Sequence, residues 1–448
     1  MSKSQNKFMD FLENKFMPVM GEISNQRHIN AVKNGMIGII PFTILGSIML
    51  IVRFPPIDPN TVGADPNFII QLLLSWKAWA DAHGSMIMMP FNMTMALLGI
   101  FAVIGIADNL AKHYKLNQLS AILLSLMSYL VVTSPATDGA LPMTYLDAKG
   151  LFTAIIVGLV SVEILKFMDD KNLEIKMPDG VPPAVANSFA SLIPAFVLMI
   201  VFYGISLLVQ NFAGMLVPEA IMAMMRPLVG AVDSVYGVFF TVLLCQLLWF
   251  AGIHGATTVG AVLTPFLIQN FNVNAQLRMA GEAMQYSYTR PMWSFMICLG
   301  GSGATLALAF LMANSKSKQL SSVGKIAILP GLFNINEPII FGAPMVLNPI
   351  MFFPFVFISP ILGVLSYIVT DLGFITKGFA MGPWTTPAPI GAFIATLDWR
   401  AVVWVFILFI LSGIMYYPFF KVYERQLLEE ERAAAKEKEL ERKEAATA

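Results

Sequence analysis

Residues 338–370 read PIIFGAPMVLNPIMFFPFVFISPILGVLSYIVT, without one Asp, Glu, Lys or Arg. About 20 apolar residues in a helix cross the hydrocarbon layer of a bilayer. This run is longer than one crossing needs, and Gly and Pro interrupt its first part. Charge-free runs also fill 180–218, 234–277, 291–315 and 401–420. The 448-residue chain is 57% hydrophobic and 12% charged, against about 25% charged for a soluble domain. The sequence therefore predicts an all-α polytopic membrane protein. Its charges gather at the end: residues 421–448 hold seven basic and eight acidic side chains. A net charge of zero leaves no nucleic-acid footprint. The opening MSKSQNKFMDFLENKF is polar and lacks the apolar core of a cleaved signal peptide.

Ten crossings are expected, near 35–53, 86–107, 117–135, 151–168, 186–209, 235–253, 256–271, 292–313, 345–370 and 400–420. Cations mark the cytoplasmic side. Lys7, Lys15, Arg27 and Lys33 precede the first crossing, and Lys112, Lys115, Lys166, Lys171, Lys176, Lys316, Lys318 and Lys325 fall in alternate loops. The intervening loops at 135–150 and 210–233 carry only Lys149 and Arg226. Both termini are therefore expected in the cytoplasm. Two stretches, 325–348 and 372–398, are apolar but broken by Pro, Gly and polar side chains. Interrupted backbone at membrane depth is tolerated only where protein buries it or a wet cavity meets it. Both are read as re-entrant hairpins. A third break is LWFAGIHGATT, where Gly252 and Gly255 flank His254. All three lie after residue 235. The expected organisation is a cytoplasmic segment at 1–34, a scaffold at 35–232, a substrate domain at 233–420, and a charged helical tail at 421–448. Amphipathic pieces are expected at 66–82 and 215–228.

Glu337 is the single charged residue between Lys325 and Asp371. A charge at bilayer depth costs about 2.5–3.5 kcal/mol on insertion scales and usually marks a substrate or ion path. His254 has no second His or Cys spaced to complete a zinc site, but its glycine flanks let a ligand approach. A neutral imidazole there could accept a hydroxyl proton. Trp249 and Trp384 lie beside the breaks, and an apolar face next to amides and hydroxyls suits a sugar. Gly300-Gly301-Ser302-Gly303 is read as close helix packing, because no GxxxxGK[ST] phosphate loop is present. Glu163 and Asp108 are read as snorkelling at cytoplasmic ends. Cys245 and Cys298 are read as buried spectators. No cofactor or metal is expected, and no nucleophile cluster suggests a lipid-modifying enzyme.

Four stretches together resemble one family: HINAVKNG at 28–35, WFAGIHG at 249–255, NINEPIIFGAPMVLNP at 334–349 and PWTTPAP at 383–389. The chain resembles the membrane (EIIC) component of a bacterial phosphoenolpyruvate-dependent sugar phosphotransferase system, in its lactose/cellobiose/diacetylchitobiose branch. The resemblance implies ten spans with two hairpins, a homodimer built through the N-terminal half, and a location in the bacterial cell membrane. It implies that His254 and Glu337 bind the sugar, with Trp249 and Trp384 beside them and Asn336 in the same motif. It also implies a β-linked disaccharide as substrate and a phosphocysteine-bearing EIIB partner, with EIIA, HPr and EI upstream. Because neither cysteine here lies in a soluble region, EIIB is expected on a separate polypeptide, and no residue of this chain is expected to be phosphorylated. The rival expectation is an ion-coupled secondary transporter or facilitator, which also uses broken helices.

Overall fold

Glycine decides where the first helices meet. The computed structural model describes residues 18, 19, 22 and 26–447, except 58, 60–61, 64, 137–138, 179–180 and 344. Lys7 and Lys15 lie outside the described residues. Helix α1 (Arg27–Gly38) starts at Gln26, whose side chain accepts the Ile29 N–H, and α2 (Ile40–Arg53) continues it past Pro41. A Cβ on Gly35 would meet Ile106 N at 2.8 Å, and one on Gly105 would meet the Gly35 Cα at 3.0 Å. Glycine at both positions therefore lets α1 pack along α5 at backbone distance.

Next come α3 (Phe68–Ala82), capped by Asn67, and α4 (Gly84–Asn92), which leads through a 3-10 turn into α5 (Leu98–Tyr114). Then come α6 (Gln118–Thr133), α7 (Leu151–Asp170), α8 (Pro183–Ala190), α9 (Leu192–Ala213) and α10 (Val217–Val232). Helices α6 and α7 pack against α5. The amphipathic pieces expected at 66–82 and 215–228 are α3 and α10. Glu163 on α7 does not merely snorkel. It bonds the His28 ring at 2.6 Å and accepts the Tyr114 hydroxyl, tying α7 to α1 and α5.

The later elements are α11 (Val235–Phe250), α12 (Gly255–Ala280), α13 (Arg290–Met292) with a π-helical turn at Trp293–Ile297, α14 (Leu306–Ala313), α15 (Lys318–Leu332), α16 (Glu337–Gly342), α17 (Phe352–Asp371), α18 (Ala388–Thr396) and α19 (Trp399–Thr447). Among the described residues six helices are long and apolar enough to cross a membrane: Arg27–Arg53, Gly84–Tyr114, Ala148–Asp170, Ser188–Ala213, Phe352–Asp371 and Trp399–Ala433. Helices α10 and α11 form a further apolar pair bent by 73°.

Several expected crossings take other forms. The one expected at 292–313 is not one helix. Gly300, Gly301, Gly303 and Ala304 adopt positive φ, so the GGSG stretch forms a left-handed loop rather than a helix-packing face. The one expected to end at 271 runs to Ala280, because its buried Asn270 and Asn274 bond the chain at 286–288 rather than ending the helix. The last expected crossing continues without a break into the tail. There Glu424 accepts the Lys316 N–H at 2.8 Å, and Glu431 accepts the Ser317 hydroxyl at 2.8 Å and the Gln319 N–H at 3.1 Å. Glu431 thus occupies the N-terminal turn of α15, where free backbone N–H groups favour anions, and Glu424 holds the loop just before it.

The buried apolar residues form two clusters. One runs from Ala31 to Val217 and takes in Phe379–Met381; the other runs from Val238 to Leu427. Helix α12 contributes to both, Val259, Leu263 and Leu267 to the second and Ile268, Phe271 and Ala275 to the first. It is the apolar seam between the halves.

Candidate functional site

Helix α11 ends at Phe250 because the chain must turn before α12. Gly252 takes φ +84°, and a Cβ on Gly255 would meet the Cys245 carbonyl oxygen at 2.0 Å. His254 caps the new helix. Its Nδ1 accepts the Thr257 backbone N–H at 3.2 Å and lies 2.7 Å from the Thr257 hydroxyl. A backbone N–H can only donate, so Nδ1 is the acceptor and a neutral ring carries its proton on Nε2. The Trp249 ring lies beside it, centroids 4.3 Å apart.

The second break is held by amides. Helix α15 stops at Leu332, and Asn334 turns the chain at φ +63°. The Asn334 Oδ1 accepts the Gly300 N–H at 3.2 Å, and its Nδ2 donates to the carbonyls of Trp384 and Thr386 at 2.9 and 3.0 Å. Asn336 donates from Nδ2 to the Ser302 carbonyl at 2.5 Å and to Thr305 Oγ1 at 3.0 Å. Gly301 must lack a side chain, since a Cβ would sit 2.4 Å from Asn336 Oδ1. Two asparagines thus fasten together the loops at 298–305, 333–337 and 384–386. Glu337 follows directly, at the exposed first position of α16. In the stretch at 372–398 the chain doubles back, with the Phe379 and Ala380 N–H groups both donating to the Ala395 carbonyl.

These parts surround one cavity of about 390 Å³, lined by Trp249, His254, Asn336, Glu337 and Trp384. That volume lies within the range of small-ligand sites, about 300–1,000 Å³. All five residues singled out in the sequence therefore share one space. Trp249 is buried, and its indole N–H has no partner. Trp384 is half exposed beside the amide-rich loop. Asn336 has both its amide protons committed to the 302–305 loop, so only its oxygen remains for a ligand. Among the described residues no group of His, Cys, Asp and Glu could hold a metal ion.

Other lining residues were not anticipated: Lys33, Arg290, Cys298 and the hydroxyls of Thr257, Ser294 and Ser302. Cys245 is buried as expected, whereas Cys298 is only partly buried and faces this cavity. Lys33, a cation expected to mark the cytoplasmic side, lines the cavity, and the Gly35 crossing sets the position of its helix there. The sequence signal for Arg290 was its position as a lone charge heading the apolar run at 291–315.

The comparisons with known proteins converge. Residues 33–359 match the family model "Phosphotransferase system, EIIC". The chain is 36% identical to the cellobiose-specific EIIC component of Geobacillus stearothermophilus, across 96% of this chain and 97% of that protein. It is 35% identical to the lichenan permease IIC component of Bacillus subtilis, across 95% and 96%. It is 32% identical to the lactose-specific EIICB component of Streptococcus mutans, across 93% of this chain and 72% of that protein. The crystal structure of ChbC, the IIC component from the N,N'-diacetylchitobiose-specific phosphotransferase system, superposes with a TM-score of 0.85 at 34% identity, covering 94% of this chain and 99% of that one. The apolar helices, the four motif stretches and these matches agree: this chain belongs to the EIIC family, the membrane components of the phosphotransferase system.

Proposed function

We propose that the chain carries a β-linked disaccharide of the cellobiose or diacetylchitobiose type across the bacterial cell membrane and presents its C6 hydroxyl to a phosphocysteine on EIIB. The observation that carries this reading is the meeting of His254, Glu337, Trp249 and Trp384 in one cavity, from three broken segments. The names of the relatives support the sugar class. Indole faces stack on the apolar C–H faces of a sugar, and the polar edges need fixed donors and acceptors.

The hydrogen bonding of His254 divides the labour. With Nδ1 occupied by Thr257, its Nε2–H donates to the C6 oxygen, and the Glu337 carboxylate accepts the hydroxyl proton. In the transfer the P–S bond of phosphocysteine breaks and its electrons leave on the thiolate. The O6–P bond forms, and the hydroxyl proton passes to Glu337. Positioning supplies most of the catalysis in such a step.

The remaining expectations belong to the same proposal. They are ten crossings with two re-entrant hairpins, both termini in the cytoplasm, and the division at 232–233 between scaffold and substrate domain. They also include EIIB on a separate polypeptide, charged in turn through EI, HPr and EIIA. The two buried clusters support the division. A homodimer through the N-terminal half is supported by the exposed Phe196, Ile200 and Tyr203 of α9, an apolar face that needs lipid or a second copy. The test is uptake of labelled disaccharide into vesicles supplied with EI, HPr, EIIA, EIIB and phosphoenolpyruvate. The expected product inside is the sugar phosphate. Uptake of unmodified sugar that follows a proton or sodium gradient and ignores phosphoenolpyruvate would establish the ion-coupled transporter instead.

A further inference from the structure

The cavity holds more positive charge than a neutral sugar can use. Lys33 and Arg290 line it together with Glu337. Lys33 donates to Asn30 Oδ1 at 2.7 Å, which neutralises nothing. Among the described residues the Arg290 guanidinium has no hydrogen-bond or ion-pair partner, and neither Lys33 nor Glu337 has an ion-pair partner. A cation held inside a membrane protein without a counter-ion is costly and is retained where something anionic visits. A guanidinium presents a planar fork of donors that fits phosphate oxygens two at a time, and an ammonium adds a point charge.

We propose that Lys33 and Arg290 form a phosphate subsite of this cavity, which holds the phosphoryl group as it joins the C6 oxygen and while the sugar phosphate remains bound. The proposal rests on the transfer reading above and adds the residues that receive the phosphate. The two cations come from different halves, Lys33 from α1 and Arg290 from the head of α13. A phosphosugar would therefore contact both halves at once, as the neutral sugar on His254 and Glu337 need not.

Binding of cellobiose and of its 6-phosphate to the purified full-length chain in detergent tests this, with diacetylchitobiose and its 6-phosphate as a second pair. In the wild type, affinity for the phosphosugar falls with added salt and affinity for the neutral sugar does not. Arg290→Gln and Lys33→Gln each weaken the phosphosugar by about ten-fold or more and the neutral sugar far less. Arg290→Lys recovers part of the loss. Equal weakening of both ligands, or no selective loss in either glutamine variant, overturns the subsite. Bound neutral sugar in each variant shows that the protein is folded. A wild type that binds neither neutral disaccharide overturns the transport reading itself, which separates the two failures.

Discussion

Where α1 crosses α5, two glycines touch; where 298–305 meets 333–337, two asparagines make the join. At the first contact each helix pairs its own backbone, and the sequence has only to remove a Cβ from Gly35 and Gly105. At the second the backbone has left the helix, and its amides and carbonyls need outside partners. Asn334 and Asn336 supply them for Gly300, Ser302, Trp384 and Thr386. The same device recurs nearby. Asn274 bonds the backbone of Gln285, Tyr286 and Gly378, and Asp233 accepts the N–H groups of Ser287 and Tyr288. The difference teaches where a polar site can be made in an apolar fold. Once the helix is broken, polar groups are already present inside the apolar fold, and a few more can face a ligand.

That contrast is open to attack at several points. The largest effect is expected at the site. Glu337→Gln should lower phosphorylation-coupled uptake by about a hundred-fold or more, the loss of a proton acceptor, and His254→Ala should lower sugar affinity as well. Intact uptake in both variants would show that the broken half does not hold the sugar.

Asn334→Ala comes next. It strands the Gly300 N–H and two carbonyls, at about 1–3 kcal/mol for each group left buried. Thermal unfolding should fall by several degrees and transport should be lost with it. An unchanged melting temperature would mean that the amide joint contributes nothing. Gly35→Val should also destabilise, by about 1–3 kcal/mol of overpacking at the α1–α5 contact. Its melting temperature should drop more than that of Gly38→Val, since beyond its own stretch of helix nothing lies within 4 Å of a Cβ built at Gly38.

The smallest effect is one of pH. Burial pushes the Asp147 carboxyl up to about 6, against bonds from Lys149 and Gln276 that favour its charge. A carboxyl raised above its ordinary value near 4 favours the folded state as pH falls from about 6 to 4 and opposes it above 6. The cost at neutral pH is at most about 3 kcal/mol. Asp147→Asn keeps the Lys149 bond and, with the Gln276 amide turned over, the second one, since Gln276 Oε1 has no partner. The variant should melt higher than the wild type at pH 7 and by less at pH 5. A constant difference would refute the titration.

The parts legible in the sequence were those governed by one-dimensional pattern. Apolar length marked α1–α2, α9 and α17, and the isolation of Glu337 and the glycines around His254 marked two walls of the cavity. Trp384 was legible because it heads a polar interruption. What pattern could not give was adjacency. Lys33 reaches the cavity because a glycine contact made by α1 with α5 puts it there, and no local feature of HINAVKNG states that. GGSG resembled helix packing because small residues serve both close helices and left-handed turns. The positive φ of the loop and the Asn336 side chain filling the space beside Gly301 separate the two.

The continuous α19 has a use of its own. At about 1.5 Å per residue, its 49 residues make a rod of roughly 74 Å. Glu424 and Glu431 pin that rod to the start of α15 and the loop before it, and the far end of α15 runs into Asn334 and Glu337. A spectroscopic reporter on the tail then acts as a pointer far from the cavity. It would register tilting of α15 during turnover, magnified by the length of the rod and without a foreign group in the sugar's path.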